Sequence, residues 1–491
     1  MNAHTPSRPL PVAVLDNLIE GRATPSAGGG RRTVVSAYDG RTVCDLPAGD
    51  PRDVDAAVAS ALAAFEDGRW SRRPPSWRKA CLLRWADAVQ QHAAELDLLD
   101  AADMGKPVSV GAYSARSAAD LIRFNAEAID KVFGETLPSA DLSLVLQRWT
   151  PRGVVAAITP WNFPVFNVAL KVAPALAAGN TVVLKPSELS PRSAQTLAAL
   201  ALDAGVPPGV FNVVQGDGEV VGQALSRHPD VAMTAFTGST EVGRLVLTSA
   251  AQSNLRPVVA ECGGKSPHVV VDDGVDLAAV AARIAGALVT NQGQICSVGS
   301  RLIVQASAAE RLVDEILVHF EALVPGDPCD PGTTFGPLCS ATQRDRVAAF
   351  IDGARESGAR VIEGGPPTPG GAFVRPVIVF PRSTADVIWR EEVFGPVLSV
   401  MTFDDIDEAI GLANSTAYGL LAYVWSKDLV TGMRLADGIR SSVVLNAAPP
   451  AGEGPGHGFS SEPVAASGLG VEGGVEGLKS YLRRQTVWIN Y

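Results

Sequence analysis

The chain has 491 residues, more than a single hydrophobic core organises, so two or three domains are expected. Apolar residues make up 46% and charged residues 19% of the sequence, the proportions of a well-buried globular protein. Because 52 acidic residues outnumber 41 basic ones, the formal charge is −11, which argues against nucleic acid or an anionic membrane as a partner.

The amino terminus lacks the basic stretch followed by an apolar stretch that marks a secretory signal. The most apolar windows, such as residues 165–179, are too short to span a bilayer. Six cysteines are scattered without paired spacing, which is typical of reduced thiols in a cytoplasmic enzyme. A cytoplasmic location is therefore expected. The six histidines are scattered as well, so no metal site is predicted.

Turn and helix signals organise the first part of the chain. Two short β-type runs flank Asp39-Gly40 and predict a hairpin. Asp50 followed by Pro51 predicts a helix start, with Asp50 as the N-cap. Apolar residues at helical spacing predict a second helix from about residue 76 to residue 99.

From Gly153 onward, short apolar runs alternate with helical segments. Five such runs begin near residues 153, 181, 210, 231 and 257, and a helix is predicted over residues 190–204. This alternation implies parallel strands with right-handed crossovers, hence a doubly wound α/β sheet. Ligands bind such sheets at the carboxyl ends of the strands.

A second α/β stretch follows Glu261. Its predicted strands are HVVVDD, RLIVQA, FVRPVIVF, LSVMTF and SVVLN, and its predicted helices lie near residues 277–289, 309–323, 342–357 and 406–413. The segment 447–458, AAPPAGEGPGHG, is predicted to be a loop, and glycines and prolines up to Pro463 predict that this loop is mobile.

Cys296 stands in the polar, glycine-containing segment NQGQICSVGSR. A packing cysteine usually lies among apolar residues, whereas this turn is predicted to leave the sulfur approachable, as a nucleophilic thiolate requires. This polar segment does not by itself identify a catalytic cysteine, because most cysteines are not catalytic.

Two strand ends carry signals for a nucleotide. Gly238 and Ser239 follow a strand and precede a helix, where backbone N–H groups and the helix dipole suit an anion, and Gly243 allows close packing of that helix. Lys185 and Glu188 follow another strand and can hydrogen-bond a ribose. The alternatives are a tight turn and a solvated ion pair.

Two further strand ends carry groups suited to acyl chemistry. Asn162, held between prolines in TPWNFP, offers an amide N–H of the kind an oxyanion hole requires. Glu261 precedes CGGK, whose glycines leave room beside the carboxylate for water, so Glu261 suits a general base. A buried structural Asn and a surface carboxylate remain the alternatives.

Six segments in this order and spacing resemble the aldehyde dehydrogenase superfamily: TPWNFP, GNTVVLKPSE, FTGSTEVG, ECGGKSP, NQGQIC and EEVFGPV. The resemblance implies an NAD-binding Rossmann-type domain from residues 1–138 and 153–260 and an α/β catalytic domain from 261–445. It implies a small oligomerisation β-element with a substrate-mouth loop from 139–152 and 446–491. A homodimer or homotetramer is expected.

The resemblance also implies roles for individual residues. The implied catalytic residues are Cys296 as nucleophile, Glu261 as base, Asn162 as oxyanion amide and Lys171 in the pocket wall. The implied contacts to NAD, or alternatively NADP, are Ile158, Thr159, Pro160, Trp161, Lys185, Ser187, Glu188, Gly238, Ser239, Gly243, Glu261, Glu392 and Phe394.

Two departures from the family pattern bear on function. Cys262 stands where leucine is frequent, and we interpret it as a packing residue. The family's PFGG segment is missing before Ser467-Gly468, which leaves the substrate open. The favoured function is NAD(P)-dependent oxidation of an aldehyde to an acid, with a leaning toward ω-amino and γ-glutamylamino aldehydes.

Three alternatives are weighed beside that function. CoA-acylating oxidation is disfavoured because those relatives lack a glutamate at the position of Glu261. A thiol esterase would be a side activity of the same site. A catalytically silent binding or structural protein is the alternative from another class, because the substrate mouth is altered.

Overall fold

A computed structural model describes residues 11–447 and 456–491. Besides short 3₁₀ and π turns, its helices are α1 (Pro51–Glu66), α2 (Pro75–Gln91), α3 (Ala93–Met104), α4 (Ala115–Ala128), α5 (Pro164–Ala177), α6 (Arg192–Asp203), α7 (Gln223–Arg227), α8 (Thr240–Gln252), α9 (Leu277–Val289), α10 (Ala309–Glu321), α11 (Ala341–Glu356), α12 (Val387–Arg390), α13 (Ile406–Ala413), α14 (Leu429–Gly438) and α15 (Gly474–Ser480). Within the described ranges, no helix has both the length and the apolar character needed to cross a membrane.

The strands form two large sheets and three small ones. They are β1 (Ala13–Val14), β2 (Asn17–Ile19), β3 (Arg22–Thr24), β4 (Arg31–Val35), β5 (Thr42–Pro47), β6 (Glu135–Leu137), β7 (Ser143–Pro151), β8 (Val154–Ile158), β9 (Thr181–Lys185), β10 (Phe211–Val213), β11 (Met233–Thr237), β12 (Val258–Glu261), β13 (Ser266–Val270), β14 (Gly299–Gln305), β15 (Arg360–Glu363), β16 (Val377–Phe380), β17 (Val397–Phe403), β18 (Tyr418–Gly419), β19 (Leu421–Trp425), β20 (Ser442–Leu445), β21 (Val464–Ala465), β22 (Gly468–Leu469) and β23 (Leu482–Asn490).

The first large sheet has the strand order β22-β12-β11-β8-β9-β10-β2-β3. Its five central strands are parallel, and antiparallel strands close both edges. Strands β8 and β9 are buried along their whole length, which explains why they are continuous apolar runs. Helices α2, α4 and α5 contribute to the core on this sheet.

The second large sheet has the order β15-β16-β17-β14-β13-β19-β20 and is parallel except at β15. Helices α9 and α10 pack against it through a core that includes Ile284, Leu288, Leu312 and Ile316. The predicted α/β class with parallel sheets is therefore confirmed.

A third sheet joins distant parts of the chain. Strand β23 pairs antiparallel with β7 along nine residues, from Leu482↔Pro151 to Asn490↔Ser143, and β6 pairs with the other edge of β7. The remaining small sheets are β1-β5-β4 and β18-β21. The hairpin at Asp39-Gly40 is present as β4 and β5, and Asp50 caps α1 as predicted.

One helix prediction is wrong. The apolar pattern predicts a single helix over residues 76–99, but the chain forms α2 and α3, which meet at His92. His92 has φ −96° and ψ 12°, outside the helical range, and its ring nitrogen Nδ1 lies 2.9 Å from the Ala88 carbonyl oxygen. Residues 448–455 of the predicted mobile loop lie outside the described residues, and its mobility and the domain boundaries stay predictions.

Candidate functional site

Four neighbouring parallel strands end at one edge of the first sheet. Glu261 ends β12 and lies opposite Thr237, the last residue of β11. Ile158 ends β8 and lies opposite Lys185, the last residue of β9. The carboxyl ends of parallel strands meet at one edge, so this register collects the predicted residues that follow these strands.

The segment before Cys296 has an unusual backbone. Asn291, Gln292 and Gly293 have φ values of 46°, 54° and 73°, in the left-handed region that non-glycine residues rarely adopt. All three residues are buried, as is Gln294. The polar residues before Cys296 are thus buried, whereas Cys296 itself is half-buried.

Buried amides hold this backbone. The Asn291 side chain donates to the Asn162 carbonyl at 2.8 Å, and the Gln294 N–H donates to the Asn291 carbonyl at 3.0 Å. The Gln294 side-chain oxygen accepts from the Cys339 N–H at 3.0 Å. Strained φ values persist only where the surroundings over-determine them, so the polar residues of NQGQ build a rigid support for Cys296.

Gly263 and Gly264 bring the end of β12 against this support. A side-chain carbon on Gly264 would lie 2.2 Å from the Cys296 carbonyl oxygen, so only glycine fits there. The Gly264 N–H donates to a Glu392 carboxylate oxygen at 3.0 Å, and a side chain on Gly263 would collide with the same carboxylate. The predicted base and nucleophile segments therefore meet, with Glu392 between them.

Asn162 lies against the nucleophile segment. Its side-chain nitrogen donates to the Gln294 carbonyl, two residues before Cys296, at 2.9 Å. Its side-chain oxygen accepts from the amide of Asn167 at 3.3 Å. One N–H of the Asn162 amide is left for a ligand, as an oxyanion hole requires.

Glu261 is buried, and its Oε1 atom has no hydrogen-bond partner in the described part of the chain. Burial, and to a lesser extent the Glu472 carboxylate, raise the pKa of Glu261 to about 8, against the opposing effect of Lys171. A carboxyl group that titrates near neutral pH is suited to general-base catalysis, because it ionises and still accepts a proton readily.

Lys171 is fully buried and forms an ion pair with Glu472. Both charges act on the pKa of Glu261. One of them belongs to Glu472, which the sequence motifs did not reveal. The only signal for Glu472 in the sequence is an acidic residue isolated among Gly470, Gly473 and Gly474.

The surroundings of Cys296 favour the protonated thiol at neutral pH. Burial raises the pKa of Cys296 to about 12, and the carboxylates of Glu261 and Glu392 raise it in the same direction. Reaction at neutral pH therefore requires that a base accept the thiol proton during attack, or that a positive charge bind nearby.

Cys262 differs from Cys296 in its surroundings. It is buried among apolar residues, and its sulfur fills space above Gly243, where a side-chain carbon would lie only 2.6 Å away. Burial raises the pKa of the Cys262 thiol to about 11. These contacts support the interpretation of Cys262 as a packing residue.

The sheet edge also offers groups for a dinucleotide. Lys185 donates to Glu188 at 2.8 Å, Ser239 caps α8 by accepting from the Val242 N–H at 3.3 Å, and the rings of Trp161 and Phe394 lie 5.4 Å apart, edge to face. The other predicted contacts, Thr159, Pro160, Ser187 and Gly238, follow the same strands.

Two hydroxyl groups at this edge fit a polar ligand. The Thr159 and Thr237 hydroxyl oxygens are buried and have no partner in the described ranges. Both hydroxyls are therefore available to hydrogen-bond a polar ligand at this edge. The donor set of one lysine, one carboxylate, hydroxyls and a helix start suits the ribose and diphosphate of NAD.

The fold and this arrangement agree with the comparisons to known proteins. The model of the aldehyde dehydrogenase family matches residues 24–487. The chain is 42% identical over 478 residues to the aminoacetaldehyde dehydrogenase of Pseudomonas aeruginosa, covering 96% of this chain and 95% of that protein. The chain therefore belongs to the aldehyde dehydrogenase family.

Solved structures resemble the whole chain. The γ-glutamyl-γ-aminobutyraldehyde dehydrogenase of Burkholderia cenocepacia is 41% identical and superposes with a TM-score of 0.93, covering 97% of this chain and 96% of that one. A mutant of the P. syringae indole-3-acetaldehyde dehydrogenase AldA, in complex with NAD+, is 39% identical with a TM-score of 0.93 and the same coverage. The predicted family and fold are thus confirmed.

Proposed function

We propose that this protein oxidises an aldehyde to a carboxylic acid with NAD as hydride acceptor, through a covalent intermediate on Cys296. The observation that carries the proposal is the meeting of three groups. Gly264 places the Glu261 strand end against the Cys296 carbonyl, and Asn162 donates to Gln294 two residues away. The segments that carry the proposed nucleophile, base and oxyanion donor are thus in contact.

The cofactor would be held at the carboxyl edge of the first sheet. Lys185 and Glu188 would bind its adenosine ribose, Ser239 and the start of α8 its diphosphate, and Glu392 with Phe394 its other ribose. The P. syringae relative binds NAD+, which supports this assignment. When bound, NAD supplies the ring that accepts the hydride from the tetrahedral carbon, which leaves a thioester on Cys296.

The first half of the reaction forms that carbon. The Cys296 sulfur bonds to the aldehyde carbon, and its thiol proton passes to the ionised form of Glu261. The carbonyl oxygen becomes an oxyanion, which accepts hydrogen bonds from the Asn162 amide and the Cys296 backbone N–H. These donors lower the barrier because they are already oriented toward the position where charge develops.

The second half releases the acid. After Glu261 has returned its proton to solvent, its carboxylate takes a proton from water, and the resulting hydroxide attacks the thioester carbon. The carbon–sulfur bond breaks, the carboxylic acid leaves, and the Cys296 thiolate is reprotonated. Burial of Glu261 favours proton acceptance because it makes the carboxylate a stronger base.

The proposed substrates are medium-length and ω-substituted aldehydes, including amino aldehydes. Relatives named for aminoacetaldehyde and γ-glutamyl-γ-aminobutyraldehyde support this class. The resemblance to the family implies that residues 460–465, in place of the PFGG segment, would line the mouth of the site, and the neighbouring Phe459 is exposed. Activity is expected to be broad, and kcat/KM is expected to rise with chain length.

The test is incubation with NAD and a series of aldehydes of increasing length, with and without an ω-amino group, while NADH absorbance is followed. Oxidation of several members, with free acid as product, supports the proposal. A protein that reduces no NAD with any aldehyde would instead be the silent binding relative. Formation of acyl-CoA only, when CoA is added, would overturn the role of Glu261 in hydrolysis.

A further inference from the structure

Asn167 contacts the proposed oxyanion donor directly. It lies in α5, five residues after Asn162, and its backbone N–H donates to the Phe163 carbonyl at 2.9 Å. Its side-chain nitrogen lies 3.3 Å from the side-chain oxygen of Asn162. Both side chains are buried, with 7% and 5% of their surface exposed.

The orientation of the Asn162 amide decides whether it stabilises an oxyanion. The two ends of a carboxamide have similar shapes, but one end donates hydrogen bonds and the other only accepts them. If the amide were turned over, its oxygen would face both the Gln294 carbonyl and the developing oxyanion. Catalysis by Asn162 therefore requires contacts that select one orientation.

Two contacts make that selection. The Gln294 carbonyl can only accept, so it fixes the nitrogen end of the Asn162 amide at 2.9 Å. The Asn167 N–H donates to the oxygen end. The backbone is held separately, because the Asn291 side chain donates to the Asn162 carbonyl at 2.8 Å. Rotation of the Asn162 side chain is the freedom that remains, and Asn167 restricts it.

We propose that Asn167 is a positioning residue that holds the Asn162 amide with its free N–H directed at the substrate oxygen. Asn167 acts through Asn162 and does not touch the reacting atoms. Helix α5 provides a rigid base for it, since its neighbours Val165, Val168 and Ala169 are fully buried. The inference rests on one part of the proposed function, the formation of an oxyanion at Asn162 when Cys296 attacks a carbonyl carbon.

The test is a double-mutant cycle with Asn162→Ala, Asn167→Leu and the double variant. Leucine has a similar volume but cannot donate a hydrogen bond. The rate of NADH formation in a single turnover is expected to fall about 10²–10³-fold in Asn162→Ala. In Asn167→Leu it is expected to fall about 10-fold, with KM nearly unchanged.

The coupling between the two variants is the decisive readout. If Asn167 acts through Asn162, adding Asn167→Leu to Asn162→Ala lowers the rate no further. A double variant whose loss is the product of the two single losses overturns the proposal, as does an Asn167→Leu variant as fast as the wild type. If Asn167→Leu does not fold, Asn167→Ala provides the same comparison.

Asn125→Leu is the matched control. Asn125 is a buried helical asparagine whose amide donates only to the Leu121 carbonyl of its own helix, at 2.9 Å, within the described residues. The same substitution there is expected to lower thermal stability and leave the single-turnover rate nearly unchanged. An equal loss of rate in Asn125→Leu would assign the Asn167 effect to packing.

Hydrolysis of p-nitrophenyl acetate separates this inference from the proposed function. Ester cleavage by Cys296 forms an oxyanion at the same place without a cofactor or an aldehyde. If the wild type oxidises no aldehyde but the ester rates show the same coupling, the inference stands and the proposed function fails. If the wild type cleaves the ester without any loss in Asn162→Ala, the inference fails.

Discussion

Lys171 and Glu472, 301 positions apart in the chain, form an ion pair beside Glu261. The side chains are 0% and 8% exposed, so the ammonium has lost its water and depends on the carboxylate. Glu472 acts in the opposite direction from Lys171 on the pKa of Glu261. The pair therefore tunes the proposed base.

Replacement of Glu472 by Gln should move the pH profile of kcat toward acid. The Glu472 charge raises the pKa of Glu261, and Lys171 lowers it, so removing the first leaves the second unopposed. The variant should also lose about 3–5 kcal/mol of stability, because it leaves a buried ammonium unpaired. Glu476→Gln, in the exposed pair with Lys479, is the control and should change neither quantity.

The wild-type rate of thioester hydrolysis should rise with pH through the region of about 8. Below the raised pKa of Glu261 its carboxyl is protonated and cannot accept a proton from water; above it the carboxylate can. Because Glu261 is also proposed to accept the Cys296 proton, Glu261→Gln should form NADH slowly in a single turnover and then stall as a thioester, detectable by mass spectrometry. An unchanged steady-state rate in this variant would remove Glu261 from its role.

Cys296→Ala should abolish aldehyde oxidation, whereas Cys262→Ala should retain it. Cys296 is half-buried and follows the segment to which Asn162 is hydrogen-bonded, whereas Cys262 packs in an apolar core. Cys262→Ala should cost about 1–2 kcal/mol of stability through lost packing. NADH formation and thermal unfolding of both variants check these outcomes, and full activity in Cys296→Ala would refute the covalent mechanism.

NAD should have a lower KM than NADP. Burial would raise the pKa of Glu188, but the charge and hydrogen bond of Lys185 outweigh it and lower the pKa, so Glu188 is ionised at neutral pH. The repulsion between this carboxylate and a ribose 2′-phosphate about 4 Å away is about 4 kcal/mol for each pair of unit charges, at an effective dielectric of 20. The positive charge of Lys185 offsets part of this repulsion. Glu188→Gln should reduce the ratio of the KM for NADP to the KM for NAD at least about tenfold. A wild-type protein with a lower KM for NADP than for NAD would contradict the prediction.

Deletion of residues 485–491 should weaken self-association. Strand β23 pairs with β7, and Trp488, Tyr491 and Leu142 are exposed in and beside this sheet, so an apolar surface is available to a second copy. Sedimentation should shift toward monomer and the unfolding temperature should fall. Val318→Ser, an exposed apolar residue on α10, is the control; a wild-type monomer at micromolar concentration would be the contrary result.

Local signals in the sequence are sufficient for much of the fold. The apolar runs that became β8, β9, β11 and β12 are short and bounded by turn residues, and full burial explains their lack of alternation. In contrast, the helical spacing of apolar residues continues across His92, so this spacing does not show that α2 ends there. The break depends on one residue's backbone angles and contacts.

Motif order and glycine placement are properties of the chain, so they were sufficient to predict the family, to propose Cys296 as nucleophile and to locate the strand ends that carry Asn162 and Glu261. The tertiary structure brings Glu472 to Lys171 and Asn167 to the Asn162 amide, two contacts that motif order does not predict. It also decided that NQGQ would be a buried scaffold with left-handed backbone. Such contacts depend on how distant elements pack, and burial, not spacing along the chain, sets their energy.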